Sequence, residues 1–267
     1  LSRMISRPAE ELSSAMDKVR SGDLSAVVES RSRDELGHLA ESFNYMVDGL
    51  KEGAWIKNTF SKYISRQVAD KILSEKSEFD FGGEIKRVSV MFCDIRGFTT
   101  LSEKMSPRDI VSLLNEYFSD IIHIVFKYDG MLDKFVGDQI MAVFGAPIHQ
   151  DDDELRAVRA AMEIQHAVHG TNARRAEAGL PVISMGIGIN TGEAVAGNIG
   201  SEERTSYTVI GDNVNLAQRI ESLSKEGQIL VSEETYRAVE QFVDADCLGE
   251  TKVKGKEVPI NLYSVTA

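Results

Sequence analysis

Cysteine, proline and tryptophan are scarce in this chain of 267 residues, which holds two cysteines, five prolines and one tryptophan. So few cysteines exclude a disulfide-rich scaffold. Cys93 and Cys247 lie far apart, and Cys93 sits in an apolar run. We therefore expect two buried free thiols in a reducing compartment rather than a disulfide bridge.

Basic residues are also in deficit, since 30 Lys and Arg face 42 Asp and Glu and the formal net charge at pH 7 is -12. A nucleic-acid-binding protein needs a basic face, so the composition argues against that class. Long apolar runs are missing too, and no stretch approaches the roughly 18 consecutive apolar residues of a membrane-spanning helix. Hydrophobic residues still make up 42% of the chain, enough for a sizeable globular core.

The first 85 residues contain helical patterns only. Apolar residues recur at spacings of three and four in two runs, as at the a and d positions of a coiled coil. The runs are Ile5, Ala9, Leu12, Met16 and Val19, and then Leu36, Leu39, Phe43, Met46 and Leu50. Two short amphipathic helices cannot bury both stripes alone. The pattern therefore predicts a parallel four-helix bundle made by two copies of the chain.

Pro8 in the first helix and Asp34-Glu35-Leu36-Gly37 at the start of the second resemble a HAMP domain, over about residues 1–52. The alternative is a plain dimeric coiled coil. The resemblance implies signal relay from a transmembrane helix upstream of Leu1. We accordingly expect the cytoplasmic portion of a membrane-anchored protein, bacterial in source, with residues 53–83 as a helical linker.

Strand and helix patterns alternate from Arg87 onward. Short apolar runs predict strands over 88–95, 131–135, 139–144 and 228–231. Longer amphipathic runs predict helices over 107–128, 151–178, 214–223 and 233–239. The segment Asn190-Thr191-Gly192 predicts a hairpin turn between strands over 182–189 and 193–199. The β-α-β-β-α-β order of the first half is the ferredoxin-like arrangement.

Two aspartates interrupt apolar strand ends. Asp94 follows Phe92-Cys93, and Asp138 follows Val136-Gly137. A charge at such a place must be paired or bound to a metal to offset its desolvation. If the two strands are neighbours, the carboxylates meet and suit Mg²⁺ or Mn²⁺. The alternative for each aspartate is a cap or turn residue.

Polar residues further along could contact a phosphate. Gly97 lets backbone N–H groups approach a phosphate closely, with Phe98 and Thr99 opening a turn. Asn215 and Arg219 are four residues apart and share one helix face, which on its own is more typical of a solvated surface. The alternating cations at 252–256 fit either an exposed edge strand or a triphosphate contact.

Together these segments resemble the class III nucleotidyl cyclases over about residues 84–267. The fold predicted for the whole chain is α+β: a ferredoxin-like βαββαβ catalytic domain, preceded by a helical HAMP four-helix-bundle region and a linker helix. The resemblance implies an adenylate cyclase that converts ATP to 3′,5′-cyclic AMP and pyrophosphate with two divalent ions, Mg²⁺ or Mn²⁺. It also implies a homodimer whose subunits share each active site.

The resemblance assigns roles to individual residues. Asp94 and Asp138 match the two metal-binding aspartates, with Ile95 included in the metal site. Lys134 and Thr208 match the pair that reads the purine edge, and Asn215 matches the residue that orients the ribose. Arg219 matches the residue that stabilises charge at the α-phosphate, and Lys254 most resembles the triphosphate-binding lysine. The turn residues Gly97, Phe98 and Thr99 are expected to contact the nucleotide as well. Lys256 is a second candidate for the triphosphate lysine.

Two alternatives to an adenylate cyclase stay open. A guanylyl or relaxed-specificity cyclase is disfavoured by Lys134 and Thr208, because guanylyl cyclases typically carry Glu and Cys there. A non-catalytic dimeric signalling module is the other alternative, and it predicts that replacing Asp94 leaves signalling intact. The paired aspartates and the Asn215/Arg219 face argue against that module.

Overall fold

The computed structural model describes residues 2–29, 34–60, 83–201, 204–253 and 259–266. The chain divides into two compact units, Leu1–Ile64 and Ser65–Ala267. The predicted linker falls mostly on residues 61–82, which lie outside the described residues. Within the described ranges, no helix combines the length and the apolar character needed to cross a membrane.

The first unit contains two helices, α1 (Ser2–Arg20) and α2 (Glu35–Phe60). The Asp34 carboxylate accepts hydrogen bonds from the backbone N–H groups of Leu36 and Gly37 at 3.1 and 3.2 Å, which caps the start of α2. The connector is held to α2 because the Asn44 side chain bonds both the N–H and the C=O of Val28, at 3.0 and 2.8 Å. Both helices therefore form where the apolar spacing predicted them.

The predicted stripes are only half buried within one chain. Leu12 and Phe43 lie in the small core, together with Ala15, Ala26, Val28, Ala40 and Val47. Met16, Leu39, Met46 and Leu50 are instead 46–50% exposed. One chain therefore buries one edge of each stripe and leaves an apolar edge uncovered.

The second unit alternates strands and helices much as the patterns predicted. Its strands are β1 (Gly83–Ile95), β2 (Met131–Val136), β3 (Gln139–Phe144), β4 (Met185–Ser201), β5 (Arg204–Ile210), β6 (Ile229–Ser232), β7 (Ala245–Thr251) and β8 (Ile260–Val265). Its helices are α3 (Phe98–Ser102), α4 (Pro107–Lys127), α5 (Asp153–Glu177), α6 (Asp212–Leu223) and α7 (Glu233–Val239).

The strands form one sheet in the order β2-β3-β1-β4-β6-β8-β7, with β5 paired to β4. The first four strands in space, β2-β3-β1-β4, are all antiparallel neighbours and α4 and α5 connect them along the chain. This is the ferredoxin-like βαββαβ arrangement, so the predicted fold class is confirmed.

The predicted hairpin at Asn190-Thr191-Gly192 is wrong. These residues lie in the middle of the continuous 17-residue strand β4, where Asn190 pairs with Val90 and Thr191 with Ser89. Both side chains are 2% exposed and find internal partners: the Thr191 and Ser89 hydroxyls are 2.7 Å apart, and the Asn190 amide donates to the Asn213 carbonyl at 2.9 Å. Tertiary pairing with the long strand β1 has overridden a local turn preference.

The two faces of β4 carry different neighbours. Ile187 and Ile189 belong to the main core with α4 and α5, as expected for alternating strand residues. On the opposite face, a Cβ at Gly188 would come within 2.2 Å of the Glu221 backbone, and one at Gly192 within 2.4 Å of the Asn213 side chain. Helix α6 therefore lies directly on a glycine-lined strand.

The cysteines are both free, and only Cys93 is buried. Cys247 lies on β7, at the edge of the sheet, and is exposed. The expectation of two buried thiols is therefore wrong for Cys247, because an edge strand presents side chains to solvent.

Candidate active site

The end of strand β1 meets the turn between β2 and β3. Strand β3 pairs with β1 up to Cys93 and Ile140, which brings Asp94 beside the two-residue turn Gly137-Asp138. Gly137 has φ 67°, a left-handed conformation that glycine adopts without strain. The charge of the Asp138 carboxylate acts on the Asp94 carboxyl group at this short range. The two aspartates singled out in the sequence thus lie side by side.

Burial and, for Asp94, the neighbouring charge change the acidity of these carboxyl groups. Burial, followed by the charge of Asp138, raises the pKa of Asp94 to about 6, although Arg96 at 3.6 Å opposes that rise. Burial also raises the pKa of Asp138, against hydrogen bonds from the backbone N–H groups of Ile95 and of Asp138 itself. Two half-buried carboxyl groups whose charges repel each other form a site that favours an added positive charge.

A third carboxylate stands behind this pair, on helix α6. Glu221 is 1% exposed, and its carboxylate forms an ion pair with Arg96. Arg96 Nη2 also donates to the backbone carbonyl of Glu221 and to the Ser224 hydroxyl, both at 2.7 Å. The Gln139 side-chain amide donates to the Oε2 atom of the Glu221 carboxylate at 2.8 Å. Burial raises the pKa of Glu221 to about 7, with Arg96 opposing and Asp94 adding to the rise. We call Asp94, Asp138, Arg96 and Glu221 the metal cluster.

Sequence reasoning missed Arg96 and Glu221, which are 125 positions apart and show no shared spacing pattern. Only the glycine-lined face of β4, which lets α6 approach closely, brings Glu221 to the end of β1. The glycines that share one face of this strand, Gly186, Gly188 and Gly192, are the signal in the sequence that predicts such an approach.

The donor set of the metal cluster fits a hard divalent ion. Among the described residues, no group of three or more His, Cys, Asp or Glu side chains is arranged to enclose a metal. Mg²⁺ does not require an enclosing cage, because it is usually held by one or two carboxylates and completes its shell with water and substrate phosphates. Asp94 and Asp138 supply such a pair of carboxylates.

The three residues expected to contact phosphate, Gly97, Phe98 and Thr99, come shortly after the end of strand β1. Gly97 has φ 69° and precedes the short helix α3, so the chain turns sharply after β1. Phe98 packs against the main core, and Thr99 is exposed. This part of the candidate site is therefore a tight turn anchored by one aromatic ring.

A second cluster lies on β2 and β5. Lys134 Nζ is 3.1 Å from the Thr208 hydroxyl, so the structure brings together the two residues expected to read the purine. Both contact Asp133: Thr208 donates to its carboxylate at 3.0 Å, and Lys134 forms an ion pair at 3.1 Å. Sequence reasoning gave Asp133 no role, since no motif marked it. We call Asp133, Lys134 and Thr208 the base cluster.

Asn215 and Arg219 lie on helix α6, one turn apart as predicted. Asn215 is exposed, whereas Arg219 is partly buried and its Nη1 has no hydrogen-bond partner in the part of the chain that the structure describes. Neither side chain bonds to the metal or the base cluster within that part. Lys254 and Lys256 lie outside the described residues.

Family comparisons cover both units of the chain. Residues 83–266 match the family described as adenylate and guanylate cyclase catalytic domain, and residues 1–52 match the HAMP domain. Two uncharacterised proteins of Mycobacterium tuberculosis are 36% identical over 271 residues and 34% identical over 266 residues. These alignments cover 99% and 98% of this chain, but the chain spans only about half the length of these curated relatives, 46% and 48%.

Solved cyclase structures resemble the second unit. The adenylyl cyclase CyaB from P. aeruginosa is 37% identical, with a TM-score of 0.68 over 69% of this chain and 96% of its own. The guanylyl cyclase Cya2 is 42% identical, with a TM-score of 0.67 over 69% of this chain and 94% of its own. With most of its length matched by the family and by these folds, the chain belongs to the adenylate and guanylate cyclases, as a class III catalytic domain preceded by a HAMP domain.

Proposed function

We propose that the chain is an adenylate cyclase, which forms 3′,5′-cyclic AMP and pyrophosphate from ATP. The observation that carries the proposal is the base cluster, in which Lys134 and Thr208 lie 3.1 Å apart in the same fold as the paired aspartates. The Lys134 ammonium donates to adenine N1, and the Thr208 hydroxyl oxygen accepts from the 6-amino group.

The reaction joins the ribose 3′-oxygen to the α-phosphorus and breaks the bond from that phosphorus to the bridging oxygen of the β-phosphate. The 3′-hydroxyl gives up its proton to water, and pyrophosphate leaves. Two bound divalent ions, Mg²⁺ or Mn²⁺, would supply the acidification of that hydroxyl and the neutralisation of triphosphate charge. Asp94, Asp138 and the Ile95 backbone would hold these ions.

The remaining residues orient the nucleotide and stabilise its charge. Asn215 positions the ribose, and the Arg219 guanidinium, which has an unpaired buried N–H group in the described structure, neutralises charge that develops on the α-phosphate. The turn at Gly97, Phe98 and Thr99 offers backbone N–H groups to the phosphates, and Lys254 contacts the triphosphate.

Two copies of the chain complete each site in this proposal. One subunit provides the metal cluster, and its partner provides Lys134, Thr208, Asn215 and Arg219, so a monomer is inactive. Residues 1–52 relay a signal through 53–83 to the catalytic domain over 84–267. In the whole protein, that signal would arrive from a membrane segment, which places this portion at the cytoplasmic side.

A guanylyl or relaxed-specificity cyclase is the second candidate, because the guanylyl cyclase Cya2 is 42% identical to this chain and the adenylyl cyclase CyaB 37%. The test is to incubate the purified chain with ATP or GTP and with Mg²⁺ or Mn²⁺, over a range of protein concentrations, and to separate the products. The proposal is supported if cyclic AMP forms from ATP and if its rate of formation per milligram of protein rises with protein concentration.

Cyclic GMP formed from GTP in excess of cyclic AMP formed from ATP would support the second candidate instead. No cyclic product from either nucleotide, even at concentrations that force dimers to form, would contradict both and leave a non-catalytic dimeric module.

A further inference from the structure

Strand β2 contains a β-bulge at Asp133. Leu132 pairs with Ala142 and Lys134 with the adjacent Met141, so Asp133 is an extra residue opposite β3. Successive side chains of a regular strand point to opposite faces, and a bulge interrupts that alternation and re-aims a side chain. Asp133 and Lys134 can therefore both contact Thr208, at 3.0 and 3.1 Å.

The hydrogen bonds at Thr208 have a defined direction. Its hydroxyl donates to Asp133 Oδ2 and accepts from Lys134 Nζ. A hydroxyl has one proton and two lone pairs, so Thr208 keeps one lone pair and no proton for a ligand. The Asp133 side chain is 1% exposed, which shields this arrangement from competing water.

Asp133 also has an unused oxygen. Its Oδ1 is buried and has no hydrogen-bond partner among the residues described. A ligand group that arrives beside it must donate a hydrogen bond, because an acceptor would face an anionic oxygen. The base cluster therefore offers acceptors to the part of the ligand that Thr208 contacts.

Purine nucleotides differ at that position. Adenine presents a 6-amino group, which donates, whereas guanine and hypoxanthine present a 6-oxo group, which only accepts. Lys134 does not discriminate by itself, since its ammonium can donate to adenine N1 or to a 6-oxo group. Discrimination must come from Thr208, and it depends on where the hydroxyl proton points.

We propose that Asp133 is a specificity-determining residue: by holding the Thr208 proton, its carboxylate makes the site select 6-amino purine nucleotides over 6-oxo purine nucleotides. The inference rests on the proposed cyclase function and on its preference for ATP. Asp133 acts through Thr208, so it is a positioning residue rather than a catalytic one. Without Asp133, the Thr208 hydroxyl can rotate and donate to a 6-oxo group.

The experiment measures kcat/KM for ATP, GTP and ITP with the wild-type chain, Asp133→Ala and Asp133→Asn. ITP isolates the 6-position, because hypoxanthine lacks the 2-amino group of guanine. We expect Asp133→Ala to lower the ATP:ITP and ATP:GTP ratios about tenfold to a hundredfold, the range for losing one polar contact that rejects a mismatched ligand. Asp133→Asn, which keeps an oxygen acceptor for Thr208, should give intermediate ratios.

Asp153→Asn is the matched control, because the Asp153 side chain is also buried, at 3% exposed, and pairs with Arg156 in α5 rather than with the base cluster. A merely structural loss lowers turnover of all three nucleotides together and leaves the ratios unchanged. If Asp133→Ala has no turnover, the affinities for α,β-methylene analogues of ATP and GTP, which cannot release pyrophosphate, give the same ratio from binding.

The outcomes separate the two proposals. An ATP preference in the wild type that Asp133→Ala leaves intact, or that Asp153→Asn lowers equally, overturns the role of Asp133 and not the cyclase. A wild-type chain without an ATP preference overturns the proposed specificity, and the role of Asp133 with it.

Discussion

The metal cluster and the base cluster are both built around buried carboxylates, but their charges are balanced differently. The metal cluster contains three carboxyl groups and one cation, Arg96, and the pKa values of Asp94 and Glu221 rise to about 6 and about 7, in each case chiefly through burial. The base cluster contains one carboxylate, Asp133, which has an ammonium at 3.1 Å and a hydroxyl donor at 3.0 Å.

The difference separates a site with an excess of carboxylates from one whose carboxylate already has a cationic partner. Excess negative charge in the metal cluster favours binding of a divalent ion, which would stabilise its carboxylates as anions. The base cluster already has its counter-charge, so its hydrogen bonds are set before a nucleotide arrives. Changes in the metal cluster should therefore affect every nucleotide, and changes in the base cluster should redistribute activity among nucleotides.

Asp94→Asn should have the largest effect. It removes one of the two carboxylates proposed to hold the ions, and we expect kcat to fall about 10³-fold for ATP and GTP alike, at the upper end of the loss for one electrostatic group in an active site. Product formation with saturating Mg²⁺ or Mn²⁺ measures this, with Asp153→Asn as the control. If Asp94→Asn changed the ratio of activity with ATP to activity with GTP by a larger factor than it changed kcat, the two clusters would not have the separate roles proposed for them.

The double variant Lys134→Glu/Thr208→Cys should have the next largest effect. It replaces the donor and the acceptor expected to read adenine by the residues that guanylyl cyclases typically carry. We expect the ratio of kcat/KM for GTP to kcat/KM for ATP to rise about a hundredfold, because two polar contacts that fit adenine are lost. The Mg²⁺ concentration needed for half-maximal activity should stay unchanged. A raised metal requirement with an unaltered nucleotide preference would contradict the assignment of these residues to the base.

The sequence predicted the order of elements and the two aspartates because these depend on local patterns. The apolar runs that end at Asp94 and the turn at Gly137-Asp138 are visible in a few residues, and the structure brings the two together. The family's motifs likewise pointed to Lys134 and Thr208, which lie on β2 and β5 and meet.

The sequence could not predict what depends on register. The hairpin expected at Asn190-Thr191-Gly192 is a straight part of β4 because β1 is long enough to pair along it. Asp133 reaches Thr208 only because a bulge shifts the pairing of β2 with β3. Glu221 reaches Arg96 only because α6 lies on glycines. Each of these contacts is set by a tertiary fit that no short window of residues contains.

Gly188→Ala tests the close packing of helix α6 on strand β4, and it should affect activity less than the substitutions in the two clusters. The added Cβ would lie 2.2 Å from the Glu221 backbone nitrogen, so α6 must shift. We expect a loss of about 1–3 kcal/mol in the free energy of unfolding, typical of overpacking, and a higher metal requirement with an unchanged ATP:GTP ratio. Urea unfolding and metal titrations of activity measure both.

Gly170→Ala is the control for that substitution, because Gly170 lies inside α5 with nothing within 4 Å of the added carbon. It should stabilise the chain by about 0.5–1 kcal/mol through helix propensity. Equal destabilisation by the two substitutions would contradict the close packing of α6 on β4.

A further expected effect is that the free energy of unfolding of the metal-free protein depends on pH. The folded chain holds the pKa of Asp94 near 6, above the ordinary 3.8, chiefly through burial, so between these values the folded state binds more protons than the unfolded state. Stability from this group therefore falls as pH rises from 4 to 6, by up to about 1.4 kcal/mol per pH unit for each proton. Saturating Mn²⁺ should reverse the trend, since the ion binds the ionised carboxylates, and Asp94→Asn should reduce it. Urea unfolding at pH 5 and pH 7.5, with chelator and with Mn²⁺, measures the difference, and an Asp94→Asn variant with the wild-type pH dependence would show that the metal cluster is not the source.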